Sequence, residues 1–279
     1  MPSVYAHERF GWQVLKRLPK PIKAVVEKHR RQFGIGLQGP DFFFFYKAWK
    51  STPVAELGLR IHRTPASELF SGFREILRKS EQDSMEMACA IGTVCHFMLD
   101  STCHWYVDEQ IRDTGESHNT IETEFERYLM EKDGLEPLRF PVWKFIPVDE
   151  DTVDCLTRLY GRAAFAAAAA SMTADVVSMD EKIVRTCLTD MRLIKRLLSA
   201  STPMGQKLLR RVMGMTGHYD EIQGHLMALT PNPRCARSSR RLLELSDGAV
   251  EETAALITKY YENIWTDKPL NSRFDKDFE

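Results

Sequence analysis

The chain has 279 residues, 43% apolar and 28% charged, with a formal net charge of −1. That is the make-up of a soluble globular protein long enough to bury a substantial core, and it gives no overall field for nucleic acid. No run approaches the roughly 18 apolar residues of a spanning helix, and MPSVYAHERFGW at the start has no apolar stretch of leader type; the expectation is a cytoplasmic protein. Helical spacing predicts helices over most of the chain. Residues 14–32 read as helix on either side of Pro19 and Pro21. Residues 66–80 follow, with Ser67 as a possible N-cap. A long, largely apolar helix covers 83–111 and is expected to end or bend near 101–105. Residues 117–134 open at Ser117 and close at Gly134, a good C′ residue. The alanine-rich stretch 149–177, whose small side chains would admit a close neighbour, precedes 179–201, 204–215 and 237–265. Loops are expected at 137–147 and 229–233. Few runs look like strands, so the expected fold is all-α: one multi-helix domain over 1–279, with helices 149–265 completing the bundle.

Charge is unevenly spread. Residues 81–154 are strongly acidic and 185–241 strongly basic, which suits cations and anionic groups or surfaces respectively, or simply two solvated faces. Cysteines stand at 89, 95, 103, 155, 187 and 235 with no C-x-x-C. They read as reduced thiols. Cys95 and Cys103 each precede a histidine, but adjacent helical residues point about 100° apart, so they are expected to pack behind the histidines.

The stretch HFMLDSTCHW places His96, Asp100 and His104 four residues apart. Residues i and i+4 are neighbours on a helix, so His96 and Asp100 can hold one ion, while His104, further round, suits the edge of a second site. A buried aspartate is costly unless paired or metal-bound; a plain Asp–His hydrogen bond is the rival explanation. His118 and Glu122 in HNTIE repeat the pair. His62 in LGLRIH is expected just before a helix, Asp41 follows a Gly-Pro turn in GLQGPDFFFFY, and His7 lies in YAHERFG. Imidazoles mixed with carboxylates and without thiolates favour zinc, or another divalent metal with N/O ligands, in an open catalytic site. His29 is expected to be solvated, and His218 and His225 lack carboxylate spacing.

Together YAHERFG, GLQGPDFFFFY, LGLRIH, HFMLDSTCHWY and HNTIE resemble the bacterial zinc-dependent phospholipase C family, closest to an intracellular branch; the motifs cover roughly residues 1–128, with YYENIWTDKP a weaker likeness near the end. The resemblance implies an all-α fold related to P1-type nucleases and two to three zinc ions. It implies that Asp41, His62, His96 and Asp100 surround one zinc, that Asp100 bridges to a second zinc taking His7, and that His104, His118 and Glu122 hold another. The sequence departs from the secreted members: nothing acidic precedes His7, only Phe42 matches an expected aromatic, and Leu59 stands three before His62, so a choline pocket is not expected. The extra ligand beside His7 is left open among Pro2, Glu8, water and none at all.

The expected activity is phosphodiester hydrolysis of phospholipase C type, by a metal-bound hydroxide in a di- or tri-zinc cleft, with Asp41 orienting or deprotonating the attacking water. A nuclease or nucleotide phosphatase on the same centre, and an inactive metal-binding scaffold, are the alternatives. The expected partner is a phosphoester, including a phospholipid headgroup. Phe42 and its neighbours suit a substrate wall or core packing. The basic segment allows a peripheral membrane contact, and no groove for single-stranded nucleic acid is expected.

Overall fold

The computed structural model describes residues 4–170, 179–199, 202–214 and 224–279. Among them there is no strand. Helix α1 spans Val4–Leu15, α2 Lys20–Lys28, α3 Arg30–Gly36, α4 Pro53–Arg63, α5 Ala66–Leu77, α6 Met85–Thr114, α7 His118–Lys132, α8 Glu150–Ala170, α9 Glu181–Leu198, α10 Pro203–Gly214 and α11 Ala236–Asn263. A 3₁₀ turn covers Gly39–Phe45. The expected ends of the helices at 171–177, 200–201 and 215 lie outside the described residues, as does His218, and the side chains of 162–170 are not described either.

The centre of the fold is α6. Ser84 caps its start by accepting from the Met87 N–H, and Gly115 ends it in the left-handed region at φ 72°, its N–H bonded to Ile111 O. The helix does not break near 101–105. The hydroxyls there donate to their own helix, Ser101 Oγ to Phe97 O and Thr102 Oγ1 to Met98 O, both at 2.6 Å, so they are satisfied without interrupting the ladder. Most of α6 is buried, because α3, α11, α1, α7 and α8 all pack against it. The α3 contact is backbone to backbone: a Cβ on Gly92 would lie 2.3 Å from Phe33 O. No larger residue permits that approach.

Further differences from expectation are local. The first helix begins at Val4, ahead of residue 14. Ser67 is no cap: Pro65 occupies the N-cap of α5, without a side-chain bond. His62 does lie just before α5, but it also sits in the last turn of a helix that was not expected, α4, which Thr52 starts by accepting from the Ala55 N–H. The six cysteines are all buried with no disulfide. The chain's end folds back over the centre: Phe278 N–H donates to His62 O at 3.0 Å and Ala66 N–H to Lys276 O at 2.9 Å. Among the described residues no helix is long and apolar enough to cross a membrane.

Candidate metal centre

Five elements bring the eight expected residues together. Helix α1 supplies His7, the 3₁₀ turn Asp41, α4 His62, α6 His96, Asp100 and His104, and α7 His118 and Glu122. All are buried except His118, which is half-buried. They form three groups whose candidate ligand atoms lie within 4.8 Å of one another: His7, His96 and Asp100; Asp41, His62 and His96; and His104, His118 and Glu122. The carboxylate of Asp100 is central. Its Oδ2 is 3.1 Å from His96 Nε2, and its Oδ1 is 3.3 Å from His7 Nε2 and 3.7 Å from His104 Nε2. Asp41 Oδ1 lies 3.1 Å from His62 Nε2 and 3.8 Å from His96 Nε2. Glu122 Oε1 lies 3.0 Å from His118 Nε2 and 3.7 Å from His104 Nε2.

The local structure aims these atoms. Ser117 caps α7 one residue before His118, accepting from Thr120 N–H at 3.2 Å. Helix α1 is tied to α7 through Tyr5, whose N–H donates to Glu126 Oε1 and whose hydroxyl donates to Asp133, both at 2.7 Å. His62 Nδ1 faces Gly58 O at 2.7 Å and His96 Nδ1 faces Leu37 O at 3.1 Å. A carbonyl only accepts, so each Nδ1 carries the proton and each Nε2 presents a lone pair to the cleft, the arrangement that metal-ligating histidines take from their outer contacts.

The donor set fits a cation. His96 Nε2, Asp100 Oδ2, His104 Nε2 and Glu122 Oε2 are buried and make no hydrogen bond of acceptable geometry, although carboxylate and imidazole atoms crowd them. Buried polar atoms that converge without bonding one another need a further partner. Their nitrogen and oxygen chemistry matches zinc. Electrostatics agree. Burial works against a charged His104 ring, yet Asp100 and Glu122 outweigh it and lift its pKa to about 9. Burial likewise opposes ionised Asp100, but His96, His104 and His7 hold its pKa well below the usual carboxylate range. Glu122 is brought down to about 2 against its burial by His118 and His104. His7 falls to about 3, chiefly through burial and then through His96. The cleft thus holds ionised carboxylates beside imidazoles. Cys95, by contrast, is pushed up by burial and stays a thiol.

Two expectations change. Phe42 is fully buried and packs against Phe43 and Tyr160, so it is core and not a substrate wall; Phe44, half-buried, is the residue of that run against His62. Glu8 is not gathered with His7: its Oε1 accepts from Trp12 Nε1 at 2.6 Å. Pro2 lies outside the described residues. Two features escaped the sequence reading. Phe278 packs on both His62 and His96, with ring centroids 5.4 and 5.9 Å away; nothing local in the sequence signals it. Lys195 is buried at a position that the helical period of α9 assigns to the apolar face, after Val184, Cys187, Leu188 and Met191, and that misplacement was the available signal.

Fold and site together define an all-α protein with a candidate multi-metal centre of histidines and carboxylates. The profile of the family described as zinc dependent phospholipase C matches residues 6–188, a span holding every residue of the centre, and the chain belongs to that family. No curated protein and no solved structure matches it.

Proposed function

We propose that this protein is a zinc-dependent phosphoester hydrolase of phospholipase C type, built as one domain, with His7, Asp41, His62, His96, Asp100, His104, His118 and Glu122 holding two to three ions. The observation that carries the reading is the sharing of Asp100: one carboxylate lies within 3.3 Å of His7 and 3.1 Å of His96, with His104 at 3.7 Å. A carboxylate placed so is suited to bridging closely spaced ions, which is the design of two-metal phosphoester chemistry. Zinc bound there supplies Lewis acidity to a phosphoryl group and acidifies water.

The chain's own residues divide the remaining work. His62 and His96 are locked in one tautomer by the Gly58 and Leu37 carbonyls. Burial works against the charge on Asp41, but His96 and His62 keep it ionised, so it can orient the attacking water as a hydrogen-bond acceptor. Phe278, Phe44 and the buried wall of α6 keep bulk water from that side. The test is elemental analysis combined with hydrolysis of a generic phosphodiester. Two or more zincs per chain, with activity abolished by Asp41→Asn, supports the hydrolase; stoichiometric zinc without hydrolysis supports the scaffold alternative. Absence of stoichiometric metal refutes the whole assignment. We further propose action in a reducing compartment, supported by six buried thiols without a disulfide, and contact with an anionic membrane surface through the exposed apolar and basic residues of α9 and α10.

A further inference from the structure

Between α1, α3, α9 and the segment leading into α8 lies an open groove of about 590 Å³, room enough for a small organic ligand. None of the eight candidate metal ligands lines it. Its cations are Arg30, Arg31, Lys144 and Arg192, and its carboxylates are Glu8 and Asp149. Asp149 is already engaged: it faces Arg31 at 3.7 Å and accepts from the Thr152 N–H at 3.2 Å. Arg30, Lys144 and Arg192 have no carboxylate partner among the described residues. They lie instead over aromatic rings, Arg30 6.0 Å from the centroid of Trp12, and Lys144 and Arg192 5.7 and 5.4 Å from that of Trp143. Arg196 brings a third cation to the Trp143 ring at 5.4 Å.

The buried wall of the groove adds an independent feature. Glu8 is 7% exposed; its Oε1 is taken by Trp12 Nε1 at 2.6 Å, and its Oε2 is buried and makes no hydrogen bond. Gly34, in the same lining, leaves that oxygen uncovered: a Cβ there would stand 3.9 Å from it. A buried carboxyl oxygen needs a partner. A hydroxyl serves it in either protonation state, because it both donates and accepts. The exposed rim asks for negative charge. Attraction to the indoles holds its cations in place, yet gathers like charges that repel one another. Guanidinium groups suit phosphate, which they bind through paired N–H donors. A ligand with phosphate at one end and hydroxyls at the other answers both features.

We propose that this groove is a second ligand site, separate from the metal centre, and that it binds the phosphate ester of a polyol. The phosphate lies among Arg30, Lys144 and Arg192, and a ligand hydroxyl meets Glu8 Oε2. The site stands whether or not the metal centre hydrolyses an ester. The same chemistry occurs in soluble glycerol 3-phosphate and in the headgroup of phosphatidylglycerol.

The experiment is calorimetric titration of the zinc-loaded full-length protein with glycerol 3-phosphate and with propyl phosphate, an ester of the same charge without free hydroxyls. Glycerol 3-phosphate is expected to bind several-fold tighter, and Glu8→Ala to remove that difference. Arg30→Gln combined with Arg192→Gln is expected to weaken both esters roughly tenfold or more at unchanged zinc content. Equal affinities in the wild type overturn the proposal. So does unchanged binding in the double variant, which would place the ester on the metal ions or on no built site. If Glu8→Ala does not fold, the arginine pair decides, since both side chains are exposed. Sedimentation with phosphatidylglycerol vesicles separates the two sources. Release of the wild type by glycerol 3-phosphate, absent in the double variant, supports the groove as a headgroup site; vesicle association indifferent to the ester supports it as a site for the soluble ester.

Discussion

Gly39 and the ring of His96 compete for one volume: a Cβ at residue 39 would lie 2.3 Å from His96 Cδ2. Gly39 also sits at φ +52°, where side chains are rarely accommodated. Two residues earlier Leu37 O holds His96 Nδ1, so the same short segment both orients the ring and leaves room for it. Gly39→Ala is therefore expected to cost about 2 kcal/mol or more and to lower zinc content by displacing His96. Gly115→Ala is the control. Its φ is +72° but nothing lies within 4 Å of the new Cβ, so it should cost only about 1 kcal/mol and keep its metal. Urea titration and elemental analysis of both variants check this.

Asp100 and Glu122 should differ in what their loss does. Asp100 reaches His7, His96 and His104, whereas Glu122 reaches His104 and His118. Asp100→Asn removes charge from the shared position, and Glu122→Gln from one group. The expected outcome is more zinc lost per chain in Asp100→Asn than in Glu122→Gln, measured by elemental analysis after dialysis against a weak chelator. Equal losses would argue against a bridging Asp100.

The parts of this arrangement that follow a local period were legible in the sequence. His96, Asp100 and His104 on one helix, and His118 with Glu122 on the next, follow from 3.6 residues per turn. What depends on chain folding was not. Helix α4 is short, and its Thr52 cap and the apolar Val54, Leu57 and Ile61 are easily passed over. The end or bend expected near 101–105 is absent, because the Ser101 and Thr102 hydroxyls there bond their own helix. Phe278 meets His62 and His96 only because the chain's end returns to the centre, a contact across long sequence separation that no spacing encodes.

The proton on His104 should compete with metal. In the metal-free protein its pKa is lifted to about 9 from 6.5, so at neutral pH the ring is charged and zinc must displace a proton. Zinc affinity is expected to rise about tenfold per pH unit between pH 7 and 9 from this group. Metal-free stability runs the other way. A raised histidine stabilises fully below the unfolded value of about 6.5 and loses that contribution as pH rises through about 9. The amount is on the order of 3 kcal/mol. Chelator competition for affinity and urea titration for stability, each repeated on His104→Gln, check both slopes; the variant should flatten them.

The membrane-facing proposal rests on side chains that are out of place in a solvated surface. Met204, Leu208 and Val212 follow one another at four-residue spacing along α10 and are 82%, 64% and 52% exposed; Leu193 and Leu197 repeat the spacing on α9 and are also exposed. Arg192, Arg196, Lys207 and Arg211 stand beside them in sequence, and Arg192 and Arg196 lie over the ring of Trp143. Apolar residues at helical spacing with basic neighbours are suited to an anionic bilayer surface, where burial of the apolar side chains and attraction to lipid phosphates add. Co-sedimentation should show binding to vesicles containing phosphatidylserine and little to pure phosphatidylcholine, weakened by salt. Leu208→Glu, on the exposed face, should reduce it several-fold with thermal stability and zinc content unchanged; binding indifferent to both salt and this substitution would refute the contact.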